Sequence, residues 1–405
     1  MLYRTHVMSA LEARRADFVN FERGMRDEVG ELAARLRALA GRAGEEVRRE
    51  SETEGKRATY PSDELEQAGG AVVNFKERWR SHEEARRWAL GVLSDRVTFA
   101  ADGSQLFPGR EVSVPVAAVQ VASFENPHSP EGRYLKDVHF EVITPDELRA
   151  GGRGFDSPEQ VVGARRFELE AEAVRAFLER RRGWRTRGER APVAFFDNTL
   201  VFSSPRGDSE TFFSKRYATA LARLIKLSRE TEVPVVGYVD HSYAPDIRDL
   251  LEAFYKDLPE TNVYDAQMLS ARSSKSGEPL LSAWGDRTIF WRCRRRGLSA
   301  SFFDESGAPL VGFVYLQTTS DGHPARLDIP AWVQESGLLE EVVDAVRAEC
   351  VVGNGYPYAV ETADEAAVMT ARDREQFLRV MQDFAAEHRL DFRLSRKPAS
   401  KARRR

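Results

Sequence analysis

The chain has 405 residues, 42% of them hydrophobic, with 60 basic against 64 acidic side chains and a net charge of −4. This composition is that of a globular protein with one large core or two ordinary ones, and it excludes a disordered or fibrous chain. The near balance of charge gives no general basic field, so any surface for a polyanion has to come from local clustering.

No run of about 18 apolar residues occurs, and the N-terminus lacks the apolar stretch and small-residue cleavage site of a secretory signal. A cytoplasmic protein with no membrane partner is expected. The two cysteines, Cys293 and Cys350, stand beside apolar or aromatic residues and read as reduced core thiols, with no second pair to complete a four-ligand zinc site. The seven histidines are scattered; His139 and His241 alone have strand-like surroundings and read as structural.

In chain order, Leu11, Phe18, Met25, Leu32 and Leu39 recur every seventh residue, with Phe21, Val29 and Leu36 between them. The spacing predicts one long amphipathic helix, lying on its own domain or pairing with a second copy. Residues 41–63 are polar and hold Gly41, Gly44, Gly55 and Pro61, so they read as a linker, and the core should begin near Arg96. Strands are predicted over 97–101, 112–121 and 136–143, followed by a break at Thr144-Pro145 and a helix over 159–182. A strand over 192–196, a helix over 214–231, a strand over 233–239 and a helix over 246–255 come next. Strands over 288–293, 299–303 and 311–317 and helices over 338–350 and 365–388 complete the series.

Strands first, then strands alternating with helices, predict an α/β fold with a mixed sheet flanked by helices and an N-terminal helical extension. The expected divisions are a helical region and linker over 1–95, a main domain over 96–390 and a basic tail over 391–405. The tail contains Arg396, Lys397, Lys401, Arg403, Arg404 and Arg405 and reads as a solvated end.

Two of the apolar runs end on an aspartate, Asp102 in Asp102-Gly103-Ser104 and Asp197 in Asp197-Asn198-Thr199. Between them, Phe167, Ala171, Val174, Phe177 and Leu178 form a helical stripe. Glu170 falls on its inward face, Glu168 at its edge and Glu172 on the opposite side. A buried carboxylate needs a metal or a cation, and a salt bridge to Arg166 is the competing use. Asp364 is placed like the N-cap of a helix beginning at Glu365, and capping by itself would account for it. Together the four acids suit a hard, oxygen-preferring cation, magnesium or manganese. Four carboxylates on a mixed sheet point to phosphodiester hydrolysis with two ions about 3.5–4 Å apart. Phosphate-loop, nucleophile-elbow and zinc-protease motifs are absent from the sequence.

These segments, in this order, resemble the NurA nucleases, prokaryotic DNA-end-processing enzymes that work with the hexameric HerA translocase. The resemblance rests on Asp102-Gly103-Ser104, on Arg165-Arg166-Phe167-Glu168-Leu169-Glu170 and on Phe195-Phe196-Asp197. It continues in Val236-Gly237-Tyr238-Val239, in Arg326-Leu327-Asp328-Ile329-Pro330, in Gly355-Tyr356-Pro357-Tyr358 and in Ala363-Asp364, spanning residues 95 to 385. It implies a ribonuclease H-like core of the kind seen in PIWI domains, a ring-like homodimer and a manganese-dependent nuclease. Such an enzyme degrades DNA from the 5′ end and nicks single strands. Metal ligands carry over to Asp102, Asp197 and Asp364, and to Glu170 or its neighbour Glu168. Two departures stand out: Asn198-Thr199 where the family usually repeats Gly-Ser, and Asp364 where many members have histidine.

A cation should offset charge building on the phosphoryl oxygens, and Lys215 and Arg326 are the candidates, each with a surface or salt-bridged role as the alternative. Tyr356 and Tyr358 suit stacking on an unpaired base, with core packing as the competing use, and Lys215 is a further DNA contact. The expected role is end resection of double-strand breaks on single-stranded and double-stranded DNA ends, with manganese or magnesium and a HerA-type ATPase. Two rivals are a catalytically dead adaptor that docks HerA or clamps DNA, and a metal-dependent hydrolase of small substrates.

Overall fold

A computed structural model of the chain describes residues 2–52, 58–109, 112–150, 157–203, 212–258, 260–270, 277–320 and 322–393. The basic tail from Arg396 onward lies outside them. The residues pack into two units, one of Met1–Arg78, Val239–Arg296 and Gly312–Leu327, the other of Trp79–Tyr238, Gly297–Val311 and Asp328–Arg405.

In the larger unit, Thr98–Leu106, Ala117–Asn126 and Leu135–Ile143 form an antiparallel meander. Val193–Phe196 pairs in parallel with the first of these strands, and Val235–Val239 pairs in parallel with Val193–Phe196. The spatial order is therefore third, second, first, fourth, fifth, with only the second strand reversed. This is the strand order of a ribonuclease H-like fold. Parallel neighbours need crossover connections, and two helices supply them, Pro158–Arg181 before the fourth strand and Phe212–Thr231 before the fifth.

The first crossover helix starts where the chain dictates. Ser157 and Gln160 form a reciprocal capping box with Pro158 in the first turn, which satisfies amide groups that would otherwise be orphaned. Its buried stripe includes Phe167, Val174, Phe177 and Leu178. Phe177 stacks on Phe99 with centroids 4.6 Å apart, and Phe167 meets Phe196 edge-on at 5.3 Å. Each such side chain contributes about 1.5–3 kcal/mol by leaving water. This is what clamps the helix over the two strands that carry Asp102 and Asp197.

Several predicted elements are corrected. The strand carrying Asp102 does not stop there but runs through Leu106, because its antiparallel partner continues to pair with it from Thr98↔Asn126 to Leu106↔Ala118. The helix predicted over 365–388 is two helices, Tyr358–Ala367 and Ala371–Glu387, the second capped by a box between Thr370 and Asp373. The strand predicted over 299–303 is a single 3₁₀ turn, Ala300–Phe302. Helices His82–Leu93 and Pro145–Ala150 also occur; the first packs Ala89 and Leu93 on Ala348 of Leu339–Val352.

The smaller unit holds the N-terminal helices. The predicted single helix is two, Arg4–Glu12 and Arg15–Ala40. Only the second half of the heptad stripe is buried, at Val29, Leu32, Leu36 and Leu39, while Leu11, Phe18 and Phe21 are exposed. The expected linker contains the helix Gly44–Glu52 and the strand Tyr60–Pro61, which pairs with Trp291–Arg292. Arg287–Thr288 and Trp291–Arg292 replace the single strand predicted over 288–293. Cys293 in this unit and Cys350 in the larger one are buried free thiols. Among the described residues no helix is long and apolar enough to cross a membrane.

Candidate active site

Asp102 and Asp197 come together through register. The parallel pairing of the first and fourth strands ends at Ala101↔Phe196, so the next residue on each strand is an aspartate. Neighbouring strands lie about 4.8 Å apart, which sets the two carboxylates side by side where the parallel ladder opens. Asp102 remains in the antiparallel ladder, opposite Ala122, and is held by it.

The turn after Asp197 is pinned from beneath. The fully buried Asp328 carboxylate accepts hydrogen bonds from the Thr199 hydroxyl at 2.5 Å and the Leu200 amide at 3.0 Å. Gly237 lets this turn lie flat on the fifth strand, since a Cβ there would stand 2.6 Å from the Asn198 carbonyl oxygen. The hydroxyl of Tyr356 donates to Asp197 Oδ1 at 2.8 Å, and the Tyr356 ring meets Tyr238 edge-on at 5.0 Å.

Glu170 enters from the crossover helix. Its side chain is 8% exposed, and Oε1 has no hydrogen-bond partner. Arg166 Nη1 lies 3.3 Å from that oxygen, yet it donates instead to the Gly103 carbonyl at 2.8 Å. A Cβ on residue 103 would sit 2.7 Å from Glu170 Oε1 and 2.9 Å from Arg166 Cγ. The glycine after Asp102 thus makes the space that the glutamate occupies. Glu168 points elsewhere and is held by Arg216 through Oε1 at 2.6 Å and Oε2 at 2.5 Å.

Asp364 is not an N-cap. Pro357 occupies the N-cap position of the helix Tyr358–Ala367, and Asp364 sits in its second turn, presented to solvent. The helix is fixed at both ends. The buried Glu349 carboxylate accepts the Ala359 amide at 2.8 Å, and Ser104 and Gln120 donate to the Ala367 carbonyl at 2.5 and 3.1 Å. Those contacts tie the Asp364 helix to the Asp102 strand.

Electrostatics agree with the placement. Burial raises the Asp102 carboxyl to about 6, helped by a hydrogen bond with Asp364 and the charges of Asp197 and Asp364, against a lowering contact from the Gly103 amide. Burial pushes Glu170 up to about 8; Arg166 opposes this, while Asp102 and Asp197 add to it. Glu170 keeps its proton at neutral pH and Asp102 titrates well above the usual aspartate range, the behaviour of carboxylates short of positive charge. The donor set is all oxygen and includes a buried Glu170 oxygen that accepts no hydrogen bond, so by chemistry these residues fit a hard divalent cation. Among the described residues, however, no three Asp, Glu, His or Cys side chains are already gathered tightly enough to close on a metal ion.

The remaining expected site residues lie elsewhere or act differently. Arg326, in the smaller unit, is 1% exposed, bonded to Asp246 at 2.7 Å and stacked over Phe313, so its charge is committed inside a core and does not face a substrate. Lys215 is exposed and lines a cleft of about 420 Å³ with Arg175, Arg216 and Arg223; none of the four acids lines it. Tyr358 is exposed, with its ring edge-on to Phe124 at 5.9 Å. His139 and His241 are exposed, with side chains 61% and 76% accessible, rather than structural core residues. Sequence reasoning named Arg166 as the ion-pair partner of Glu170, which it is at 3.3 Å, but not as a support of the Gly103 carbonyl, and it missed Asp328 and Glu349. The Arg-Arg before Phe167 and the Asp328 within Arg-Leu-Asp-Ile-Pro were the available signals.

The fold and the acids that converge on its sheet define a ribonuclease H-like protein with a carboxylate site. The model of the NurA domain matches residues 96–369, and the chain belongs to the NurA family of nucleases. Solved structures similar to it include NurA with manganese, at 9% identity over 84% of this chain and 95% of that one with a TM-score of 0.43. NurA bound to dAMP and manganese is 11% identical over 71% and 88% with a TM-score of 0.37. The catalytic domain of human endonuclease V is 14% identical over 74% and 96% with a TM-score of 0.30. With TM-scores this low, the family model carries the assignment. No curated protein matches the chain.

Proposed function

We propose that the chain is a metal-dependent DNA nuclease that hydrolyses phosphodiester bonds, with a nuclease domain over residues 96–390. The observation that carries this reading is the juxtaposition of Asp102 and Asp197 on adjacent parallel strands, faced by a buried Glu170 oxygen that is ion-paired with Arg166 at 3.3 Å but accepts no hydrogen bond. Asp102, Asp197, Glu170 and Asp364 would hold the cation. When bound, manganese or magnesium would polarise the scissile phosphate and lower the pKa of the attacking water.

The chain's own groups do the rest. Glu170 would give up its proton to a bound cation, which would supply the positive charge that burial denies it, and Asp102, raised to about 6, would be held ionised by the same charge. Tyr356 holds the rotamer of Asp197, Asp328 holds the turn beneath it, and Arg166 fixes the Gly103 carbonyl beside Glu170. The family supports the finer reading of 5′-to-3′ degradation and single-strand cleavage in end resection, by a homodimer working with a HerA-type ATPase. The N-terminal helices are the place proposed for that partnership, and full HerA binding by a chain lacking residues 1–60 would refute it.

The rival is an inactive adaptor of the same fold, whose sequence mark would be the loss of one or more of the four acids; all four positions here hold carboxylates. Labelled single-stranded and blunt duplex DNA incubated with manganese, magnesium or EDTA decides between them. Cleavage that needs metal and disappears in Asp102→Ala and Asp197→Ala is the expected result. A folded parent that binds DNA and leaves it intact would establish the adaptor.

A further inference from the structure

The second crossover helix, Phe212–Thr231, shows an unusual outward face for a chain of net charge −4. From Ser214 to Thr231 its exposed residues are Lys215, Thr219, Arg223, Lys226, Arg229 and Glu230. At about 100° per residue these positions form one stripe, and four of the six are cationic. From Lys215 to Arg229 the stripe runs about 21 Å at 1.5 Å per residue.

At Lys226 and Arg229 the counter-charges are weakly placed. Lys226 is 3.8 Å from Glu230, and Arg229 is 4.0 Å from Glu335, all well exposed to solvent. Arg223 has no acidic partner among the described residues. The neighbouring helix adds Arg175, whose buried Nε has no hydrogen-bond partner, to the cleft that Lys215, Arg216 and Arg223 line, where Glu168, paired with Arg216, and Glu172 are the acids. Direction matters as well. The Lys215 end lies beside the part of the first crossover helix that carries Glu170, since Tyr217 stacks on Phe167 at 4.1 Å and Arg216 binds Glu168. The Arg229 end lies away from the acids, at the start of the fifth strand.

We infer that this face is a track for the phosphate backbone of a nucleic-acid strand, leading to or from the acidic site. A row of exposed cations at intervals along about 21 Å matches a polymer of phosphates better than a single small anion. The inference rests on the nuclease reading for the identity of the polymer. It adds Arg175, Arg223, Lys226 and Arg229 as contacts, and it moves Lys215 from the reacting phosphate to the strand beyond it.

The test is equilibrium binding of a fluorescent single strand long enough to span the face. It is run in EDTA so that it does not depend on cleavage, across a salt series, for the parent and Arg223→Glu/Lys226→Glu. Both side chains are exposed, and matched melting temperatures check the fold. The expected result is at least tenfold weaker binding, with the slope of log affinity against log salt reduced by about 1.4 for two lost contacts to a single strand. Arg223→Gln/Lys226→Gln should fall between. Unchanged affinity and slope overturn the track even if the parent proves to be a nuclease. Lost binding in the variant upholds it even if the parent cleaves nothing. Displacement of the strand by inorganic phosphate at constant ionic strength would overturn it in favour of a small-anion site.

Discussion

The phenol of Tyr356 donates a hydrogen bond to the Asp197 carboxylate at 2.8 Å, while its ring is braced edge-on by Tyr238. A hydroxyl committed in this way orients a carboxylate. A residue whose ring stacks on a base would not need it, and the two roles make different demands on the side chain. Tyr356→Phe keeps the ring and should lower kcat by about tenfold, or about 1.4 kcal/mol, with KM for DNA unchanged. Steady-state cleavage by Tyr356→Phe and Tyr356→Leu separates the roles: full activity in the first with raised KM in the second would restore base stacking.

Gly103 makes the space for Glu170, so a single methyl group should disable the site. Gly103→Ala places Cβ 2.7 Å from Glu170 Oε1 and 3.2 Å from Val121 Cγ2. Overpacking of this kind costs about 1–3 kcal/mol, and the glutamate has to turn away. Calorimetry and manganese titration of the variant should show a lower melting temperature and weakened metal binding. Unaltered metal affinity would show that Glu170 is not part of the site.

Asp102 and Glu170 hold protons more tightly folded than unfolded, where such groups titrate near 3.9 and 4.3. Their contribution to stability is therefore fully present below about pH 4 and is lost as pH rises through about 6 for Asp102 and about 8 for Glu170. Metal-free protein should lose up to about 1.4 kcal/mol per pH unit for each group across that window. Urea titrations in EDTA should show that Glu170→Gln flattens the upper part of the decline. Identical pH profiles for parent and variant would contradict the raised glutamate.

Asp328 never meets substrate in this arrangement, yet it should matter to the site. Asp328→Ala leaves the buried Leu200 amide unpaired, a loss of about 1–3 kcal/mol, and frees the turn that carries Asp197. Stability and cleavage should both fall, whereas Asp328→Asn, which still offers an oxygen to the turn, should recover much of each. Activity in Asp328→Ala equal to the parent at a temperature where both are folded would remove it from the supports.

Arg326 makes the opposite case, a cation suited by sequence to catalysis and used by the fold. It shares the fully buried Asp246 with Arg295, and the two guanidinium groups outweigh burial and hold Asp246 down to about 2. Arg326→Met should cost about 3 kcal/mol in denaturant unfolding, because removing one partner leaves a buried charge undercompensated. An undiminished midpoint with lost cleavage would return Arg326 to the catalytic set.

Much of the fold could be read locally. The capping box at Ser157, the helical stripe from Phe167 to Leu178 and the apolar run ending at Phe196 each carry a period or a terminus signal within one segment. Errors fell where a neighbour overrode the local pattern. The Asp102 strand continues because the adjacent strand goes on pairing with it, and residues 41–63 read as a linker because a two-residue strand such as Tyr60–Pro61 exists only through its partner. The break between Ala367 and Ala371 went unread although Thr370 and Asp373 stood in the sequence as a cap.

The sequence by itself determined the main strands and crossover helices around the acidic positions and the residue types there, because periodicity and carboxylate chemistry are properties of short segments. Only the tertiary structure decided which side chains face one another. The stripe turned Glu170 inward but could not set it beside Asp102; nor could local pattern put Asp364 within a helix, bind Tyr356 to Asp197 or spend Arg326 in a core. Those outcomes depend on register between strands and on the rotation of helices against the sheet, which are fixed by packing among residues far apart in the chain.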